Sequence, residues 1–230
     1  MVKHLACIMD GNRRWAKKYS MFAWEGHREG VKAAQRAVDF CLEQQIPYLS
    51  LYTFSLENFN RPKEELHFLF SVIMHEFKER VLNESITKGV RISFIGDTMR
   101  FPKSVLPIVR EIEEASQHCT KLHVQLLFCY GGRQEIVHGV RMAIDKIQTG
   151  ELAIEDLDEH SFQAMLWSGS VPPPDLIIRT GGVQRLSNFL LFQAAYSEFF
   201  FLDCFWPEIN QTVLTDIMQS FKQRQRNFGS

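Results

Sequence analysis

The chain reads as an α/β protein with a central, mostly parallel six-stranded sheet flanked by helices, and three observations lead there. Short apolar runs alternate with stretches of helical period along the whole length. Several of the runs end in polar, Gly-containing turns, as strands do when they feed a helix. Hydrophobic content of 45% and charged content of 23% over 230 residues support a substantial core, so residues 1–230 are read as one domain.

Leu5 to Met9 is apolar and too short for a helix, so it is read as the first strand. It stops at Asp10-Gly11-Asn12, and a helix carrying Arg13, Arg14 and Lys17 begins there. Met21 to Gly26 is aromatic and irregular and is read as a loop, with His27 opening the next helix. Tyr48 to Phe54 is the second strand. It runs into the polar turn Ser55 to Pro62, where Pro62 is placed to start a helix. That helix, about Lys63 to Thr87, is apolar on more than one face: Leu66, Leu69, Phe70, Ile73, Phe77 and Val81 form one stripe, while Phe68 and Val72 interrupt the other. Val90 to Ile95 is the third strand, followed by a helix over about Lys103 to His118. Leu122 to Tyr130 is the fourth strand, ending in Gly131-Gly132-Arg133, and Gly150 closes the helix that follows. A helix around Phe162 to Trp167 precedes three prolines. Asp175 to Ile178 and Phe199 to Leu202 are the last strands, and a helix from about Thr212 ends the chain. Strands alternating with helices imply parallel pairing with both faces covered.

Composition narrows the function. A net charge of −1 provides no global field for nucleic acid, and no nucleic-acid partner is expected. The five cysteines are odd in number and scattered, without a C-x-x-C, as expected of reduced core thiols in a cytoplasmic protein. No run approaches the roughly 20 apolar residues of a membrane span, and a signal peptide is not expected before the first strand. Nineteen phenylalanines suit either a Phe-rich core or a pocket for something long and apolar.

Ligands of parallel sheets bind beyond the carboxyl ends of the strands. Three polar clusters lie at such ends: Asp10 to Arg14, Ser55 to Arg61, and Arg179 to Ser187. Two pair Gly-containing turns with arginine, which hydrogen-bonds phosphate through two N–H groups at once. The other supplies Ser55, Glu57, Asn58 and Arg61. With Asp10 and Glu198 as carboxylates, the sum is a site for two phosphorylated groups, one magnesium ion and an apolar tail.

Taken in order, these pieces resemble the cis-prenyltransferases, the undecaprenyl diphosphate synthase family. The likeness rests on His4…Met9-Asp-Gly-Asn-x-Arg-Trp-Ala16, Gly26-His27, Tyr52-x-Phe-Ser-x-Glu-Asn58, Asn60-Arg-Pro62, Gly96-Asp97, Tyr130-Gly-Gly-Arg133, Ile178-Arg-Thr-Gly-Gly182 and Arg185-x-Ser-Asn-Phe-Leu190, and it extends to Glu198 and Trp206-Pro207. It implies condensation of isopentenyl diphosphate onto an allylic diphosphate, such as farnesyl diphosphate, with new cis double bonds. By that likeness Asp10 holds magnesium and assists loss of the leaving group, Glu198 completes the metal shell near a subunit interface, and Asn58, with Ser55, lies near the proton removed. Gly11, Asn12, Arg14 and His27 grip the allylic diphosphate, while Arg179, Arg185 and Ser187, helped by Arg61, bind that of isopentenyl diphosphate. Arg13, Trp15, Leu56, Glu57, Phe59 and Leu186 complete the expected substrate-binding set. A homodimer in transient contact with a membrane surface is the assembly implied.

The chain departs from the family pattern at four places. Arg13 stands where glycine is usual, Ala23 where an arginine is usual, Gln184 where histidine is usual, and Asn227 where an arginine is common. Arg13 is expected to replace the phosphate contact that Ala23 cannot make. Leu127 and Phe128 are bulky beside the expected tunnel. Ala23 and Gln184 lend weight to a second reading, a non-catalytic partner subunit, against which stand Asp10, Asn58, Arg61, Arg179, Arg185, Ser187 and Glu198. A haloacid-dehalogenase-like phosphatase wants a carboxylate where Asn12 stands, and a trans-type synthase wants an aspartate-rich D-D-x-x-D that does not occur.

Overall fold

The structure is a computed structural model, and it describes residues 2–74, 77–78 and 82–224, without the side chains of residues 71–73. Six parallel strands form one sheet in the order β3-β4-β2-β1-β5-β6. They are β1 His4–Ile8, β2 Tyr48–Ser55, β3 Val90–Ile95, β4 Leu122–Tyr130, β5 Leu176–Arg179 and β6 Glu198–Phe201. The helices are α1 Asn12–Lys18, α2 Ala23–Glu43, α3 Lys63–His67, α4 Leu82–Lys88, α5 Leu106–Ser116, α6 Gly132–Gln148, α7 Glu159–Ala164 and α8 Gln211–Gln223.

Strand alternation sorts the core into two clusters, one on each face of the sheet. Leu5 and Cys7 of β1, Leu126 and Phe128 of β4, and Leu176 and Ile178 of β5 belong to the larger cluster, with Phe40 of α2 and Phe221 of α8. Ala6, Ile8, Leu127 and Ile177 belong to the other, with Phe189 and Leu190. The pairing of β2 with β4 slips between Tyr52 and Phe54 and again before Ser55, which re-aims the end of β2.

Two elements differ from the sequence expectation. The stretch read as a loop up to His27 is already helical from Ala23, because the Glu25 carboxylate accepts from the Phe22 backbone N–H and caps the helix start. The helix expected from Lys63 to Thr87 is not uniform: after α3 the backbone widens to a π-helix over Phe68–Ile73. Val81 and the tail with Arg226 and Asn227 lie outside the described residues. Four cysteines are buried and Cys204 is half-buried, all as free thiols. Burial pushes the Cys7 and Cys129 thiols up to about 12, which keeps them unreactive.

A line of buried polar groups crosses the opposite, amino-terminal end of the strands. The His4 Nδ1–H donates to the Pro172 carbonyl at 2.6 Å, and Ser50 Oγ lies 2.9 Å from His4 Nε2 and 3.1 Å from Gln125 Oε1. Burial lowers the His4 pKa to about 4, and burial with the nearby Arg91 charge does the same for His123. Both rings fold neutral, so between pH 6.5 and 4 the unfolded chain binds more protons than the folded one. Stability therefore falls as pH drops through that window, by about 3 kcal/mol at the limit for His4. Urea midpoints measured across this range should decline, and the decline should be shallower in His4→Asn/His123→Asn; an equal slope would assign the loss to other groups.

Candidate active site

All six strands point the same way, so their carboxyl ends gather the three polar clusters at one edge of the sheet. Ile8 pairs in register with Tyr52 on one side and Arg179 on the other. Asp10, two residues further on, is thereby set beside Arg179. Its backbone carbonyl accepts from Thr180 Oγ1 at 2.7 Å and from the Trp206 N–H at 3.0 Å, which fixes the turn. Gly11 follows at φ 111°, where a Cβ would come within 2.6 Å of the Phe205 ring. Both facts require glycine. Gly26 and Gly30 of α2 let α1 lie against them: a Cβ at Gly26 would meet the Asn12 carbonyl oxygen at 2.1 Å, and one at Gly30 the Asn12 amide at 2.8 Å. Asn12 Oδ1 is buried there without a hydrogen-bond partner.

Each oxygen of the Asp10 carboxylate takes one guanidinium. Arg14 Nη2 donates to Oδ1 at 3.0 Å and Arg179 Nη2 to Oδ2 at 2.9 Å. Arg14 also donates to the Gly181 carbonyl at 2.8 Å and lies over the Phe205 ring. Arg179, only 5% exposed, donates to Ser187 Oγ at 2.8 Å and to the Arg185 carbonyl, while its Nε is buried without a partner. The Arg185 side chain is exposed at the rim. Leu186 turns inward to the second core cluster. Trp15 packs on Tyr19, with ring centroids 4.9 Å apart.

The Ser55 N–H donates to Asn58 Oδ1 at 3.1 Å, closing the turn that carries the second cluster. Leu56 and Phe59 anchor this turn in the core, Phe59 edge-on to Phe54. Glu57 accepts from Asn188 Nδ2 at 3.0 Å and so ties this cluster to the third. The Gly131-Gly132-Arg133 motif stands behind that contact: the Gly132 N–H donates to the Asn188 carbonyl at 2.7 Å and the Arg133 N–H to Asn188 Oδ1 at 2.8 Å.

Glu65 of α3, which the sequence reading did not single out, gathers three of the expected phosphate-binding groups. Its carboxylate lies 3.2 Å from His27 Nε2, 3.1 Å from Arg61 Nη1 and 3.8 Å from Arg13 Nε. The His27 hydrogen bond, with Arg61 and Arg13, holds the Glu65 carboxyl below the usual range despite partial burial. Burial lowers the Arg61 pKa, and Glu65 opposes that shift. The available signal was the spacing of Arg61 and Glu65, four residues apart across the start of α3, Arg61 lying in the extended turn before the helix.

Two polar pockets result, of about 690 and 520 Å³, and they share Met9, Asp10 and Arg61 as a common wall. The first is lined by Asn12, Arg13, Arg14, Lys17 and His27, with Ala23 on the same wall as Arg13. The second is lined by Tyr52, Ser55, Glu57, Asn58, Arg179 and Ser187. Helix α1 is only two turns long, so its cationic side chains rather than a helix dipole set the charge of the first pocket. Met9, Asn12 and His27 also line the entrance to an apolar cavity between α2 and the sheet. Leu51, Ile92, Phe94, Leu126 and Phe128 form its wall, and Asp39, Glu84, Ser85 and Lys88 its far end. Lys88 Nζ bridges Asp39 at 2.5 Å and Glu84 at 2.6 Å there. Of the two bulky residues expected beside the tunnel, Phe128 lines the cavity, and Leu127 faces the opposite side of the sheet by strand alternation.

Glu198 is not brought to Asp10 within the chain. It pairs in register with Leu176, at the start of β5, three residues and about 10 Å before the Arg179 end. Its carboxylate accepts from Arg224 Nη1. Among the described residues no group of three or more His, Cys, Asp or Glu could hold a metal ion. Asp10 alone offers a hard oxygen ligand where the two polar pockets meet, which fits an ion completed by phosphate oxygens.

Known proteins match this arrangement over its whole length. Residues 8–229 match the family model described as putative undecaprenyl diphosphate synthase. The farnesyl-diphosphate-specific ditrans,polycis-undecaprenyl-diphosphate synthase of Xylella fastidiosa is 42% identical, over 99% of this chain and 89% of that protein. The geranylgeranyl-diphosphate-specific tritrans,polycis-undecaprenyl-diphosphate synthase of Thermococcus kodakarensis is 40% identical, over 99% and 86%. Among solved structures, lavandulyl diphosphate synthase from Lavandula x intermedia, in complex with dimethylallyl diphosphate, superposes with a TM-score of 0.94 at 34% identity, covering 100% of this chain and 98% of that one. A probable undecaprenyl diphosphate synthase from Campylobacter jejuni gives 0.83 at 33% identity, covering 100% and 99%. The chain belongs to the undecaprenyl diphosphate synthase family of prenyltransferases.

Proposed function

We propose that the protein condenses isopentenyl diphosphate onto an allylic diphosphate and builds a long-chain cis-polyprenyl diphosphate such as undecaprenyl diphosphate. One observation carries this reading: two arginine-bearing pockets share Asp10 and Arg61, and the first has Met9, Asn12 and His27 in common with the apolar cavity while the second has only Met9. The first pocket suits an allylic diphosphate whose tail enters past Met9 and His27, and the second suits isopentenyl diphosphate. The cavity measures about 160 Å³ and is lined as far as Lys88; a product of many isoprene units would have to widen it, and each methylene it buried would contribute about 0.8 kcal/mol.

In this reading the allylic carbon–oxygen bond breaks with its electron pair leaving on the diphosphate, and the double bond of isopentenyl diphosphate forms the new carbon–carbon bond. A proton is then lost beside Asn58 and Ser55. Arg13, Arg14 and His27 face the charge that grows on the leaving diphosphate, where fixed cations in a partly dry pocket lower the barrier. Arg179 and Ser187, with Arg185 at the rim, hold the second diphosphate. Asp10 is the residue that would hold magnesium, and what magnesium supplies when bound is further neutralisation of the departing charge. A homodimer is supported by Val137, Val140 and Ile144, which leave an exposed apolar stripe on α6, and by the edge strand β6, where Phe199 and Phe201 stack. Glu198 lies at that edge, so its contribution to a metal shell would require the second subunit.

With radiolabelled isopentenyl diphosphate, farnesyl diphosphate and magnesium, extracted lipid should be long-chain, and chelation should abolish it. Asp10→Ala should lower the rate by about 100-fold or more; undiminished incorporation would remove Asp10 from the mechanism. Glu65→Gln should tighten binding of inorganic diphosphate several-fold by calorimetry, since the carboxylate no longer competes for Arg13, His27 and Arg61. Weaker binding would instead make Glu65 a support for those cations. Asp39→Ala/Lys88→Ala should lengthen the product, because a chain reaching the far end of the cavity no longer has to disrupt a charge pair. An unchanged length would place the stop elsewhere.

A further inference from the structure

The turn after β6 stands behind the first polar pocket, and its Phe205 side chain lines neither that pocket nor the second. The half-buried ring meets two site residues at once. It packs so close to Gly11 that a Cβ there would come within 2.6 Å of it, and the Arg14 guanidinium lies over it, 5.3 Å from its centroid. Backbone hydrogen bonds on both sides tie Phe205 to the strand ends that carry the site. The Gly181 N–H donates to the Cys204 carbonyl at 2.8 Å, and the Trp206 N–H donates to the Asp10 carbonyl at 3.0 Å. The Phe205 N–H donates to Glu208 Oε2 at 2.8 Å, and Glu208 Oε1 accepts from Lys18 Nζ of α1 at 3.0 Å. The ring is thus fixed in the same frame as Asp10, with α1 clamped against its turn.

Arg14 needs such a support. Its side chain is 47% exposed, and a long, exposed side chain has many rotamers to lose before it can act from one place. Two of its five N–H groups are spent on Asp10 Oδ1 and the Gly181 carbonyl. Contact with a ring face consumes no N–H, so it takes none of the remaining donors from a ligand. We propose that Phe205 is a positioning residue for Arg14: the ring holds the guanidinium where it keeps Asp10 in place and turns its other N–H groups to a diphosphate in the first pocket. The proposal rests on the function proposed above, in which that diphosphate is the leaving group. Lys18 Nζ also lies over the ring, at 5.9 Å, but it is bound to Glu208 and does not line the pocket. Arg14 is therefore the cation through which the ring acts on the site.

Binding of inorganic diphosphate, followed by calorimetry on the full chain, should weaken about threefold in Phe205→Leu and in Phe205→Met, which keep the bulk of the side chain and lose the ring face. Phe205→Tyr should bind as the wild type does. In an Arg14→Ala background the same ring removals should have no further effect, since a positioning residue acts only through the group it positions. In condensation, Phe205→Leu should lower kcat/KM for the allylic substrate by the same factor and leave the KM for isopentenyl diphosphate unchanged. A ring that only packs would cost as much with Arg14 absent as with it present, and that additivity overturns the proposal. So does unchanged diphosphate binding in both ringless variants, weaker binding in Phe205→Tyr than in Phe205→Leu, or a wild type that binds no diphosphate. The two proposals fail separately. Wild type that condenses nothing, while diphosphate binding still couples Phe205 to Arg14, rejects the function alone. Normal condensation without that coupling rejects Phe205 as a positioning residue alone.

Discussion

The contact on which the site depends is the one between Arg179 and Asp10, and it exists because β1 and β5 are adjacent, parallel and in register. A guanidinium as enclosed as that of Arg179 is costly unless it is paired, and Asp10 is the only carboxylate it touches among the described residues. The same guanidinium holds the turn at Arg185 and Ser187. Through Asp10 it also fixes where α1 begins, and so where Arg13 and Arg14 project. Shifting β5 by one residue would turn Arg179 to the other face of the sheet and leave Asp10 and the second pocket without it. The register of two short strands thus has a chemical consequence far larger than the packing energy of their side chains.

Much of this was legible in the sequence, and the exceptions have physical reasons. Strands β3 and β4 match the expected bounds residue for residue, because β3 alternates apolar and polar residues up to Gly96 and β4 is largely apolar up to Gly131. The residues expected at the three strand ends do converge, since parallel strands carry their last residues to one edge. Helix α2 was read as starting at His27 because Phe22 and Trp24 look like loop residues; the cap from Glu25 was the overlooked signal. Glu65 escaped notice because a lone glutamate near a helix start resembles a solvated one, and only the fold brings Arg13 and His27 to it. Glu198 was expected with Asp10 from likeness, yet it opens its strand rather than closing it. No single-chain geometry joins the two. Leu127 and Phe128 could have been separated by alternation alone, once their strand was known to be covered on both faces.

The balance of charge in the first pocket also bears on turnover. Arg13, Arg14, Lys17, His27 and Arg61 face a volume in which Asp10 and Glu65 are the nearby acids. In the proposed reaction, that many donors without a competing acid would hold diphosphate firmly in ground state and transition state alike. Binding that is equally strong before and after the transition state contributes nothing to the rate. In the proposed reaction Glu65 is a competitor built into the fold: it engages Arg13, His27 and Arg61 in the structure and would yield them to a diphosphate. The cost of displacing it is taken from ground-state binding. The interactions that strengthen as charge moves onto the leaving group are retained.

The same balance explains how Ala23 is tolerated. The arginine usual at this position in the family would start on α2, on the wall that Ala23 now shares with Arg13. Arg13 lines the same pocket from α1, so a guanidinium is present there although Ala23 provides none. Phe22 and Trp24 flank Ala23 and stack on each other there, which a long charged side chain between them would compete with. In the proposed function the two departures compensate each other: a guanidinium expected from α2 comes instead from α1, ten residues earlier.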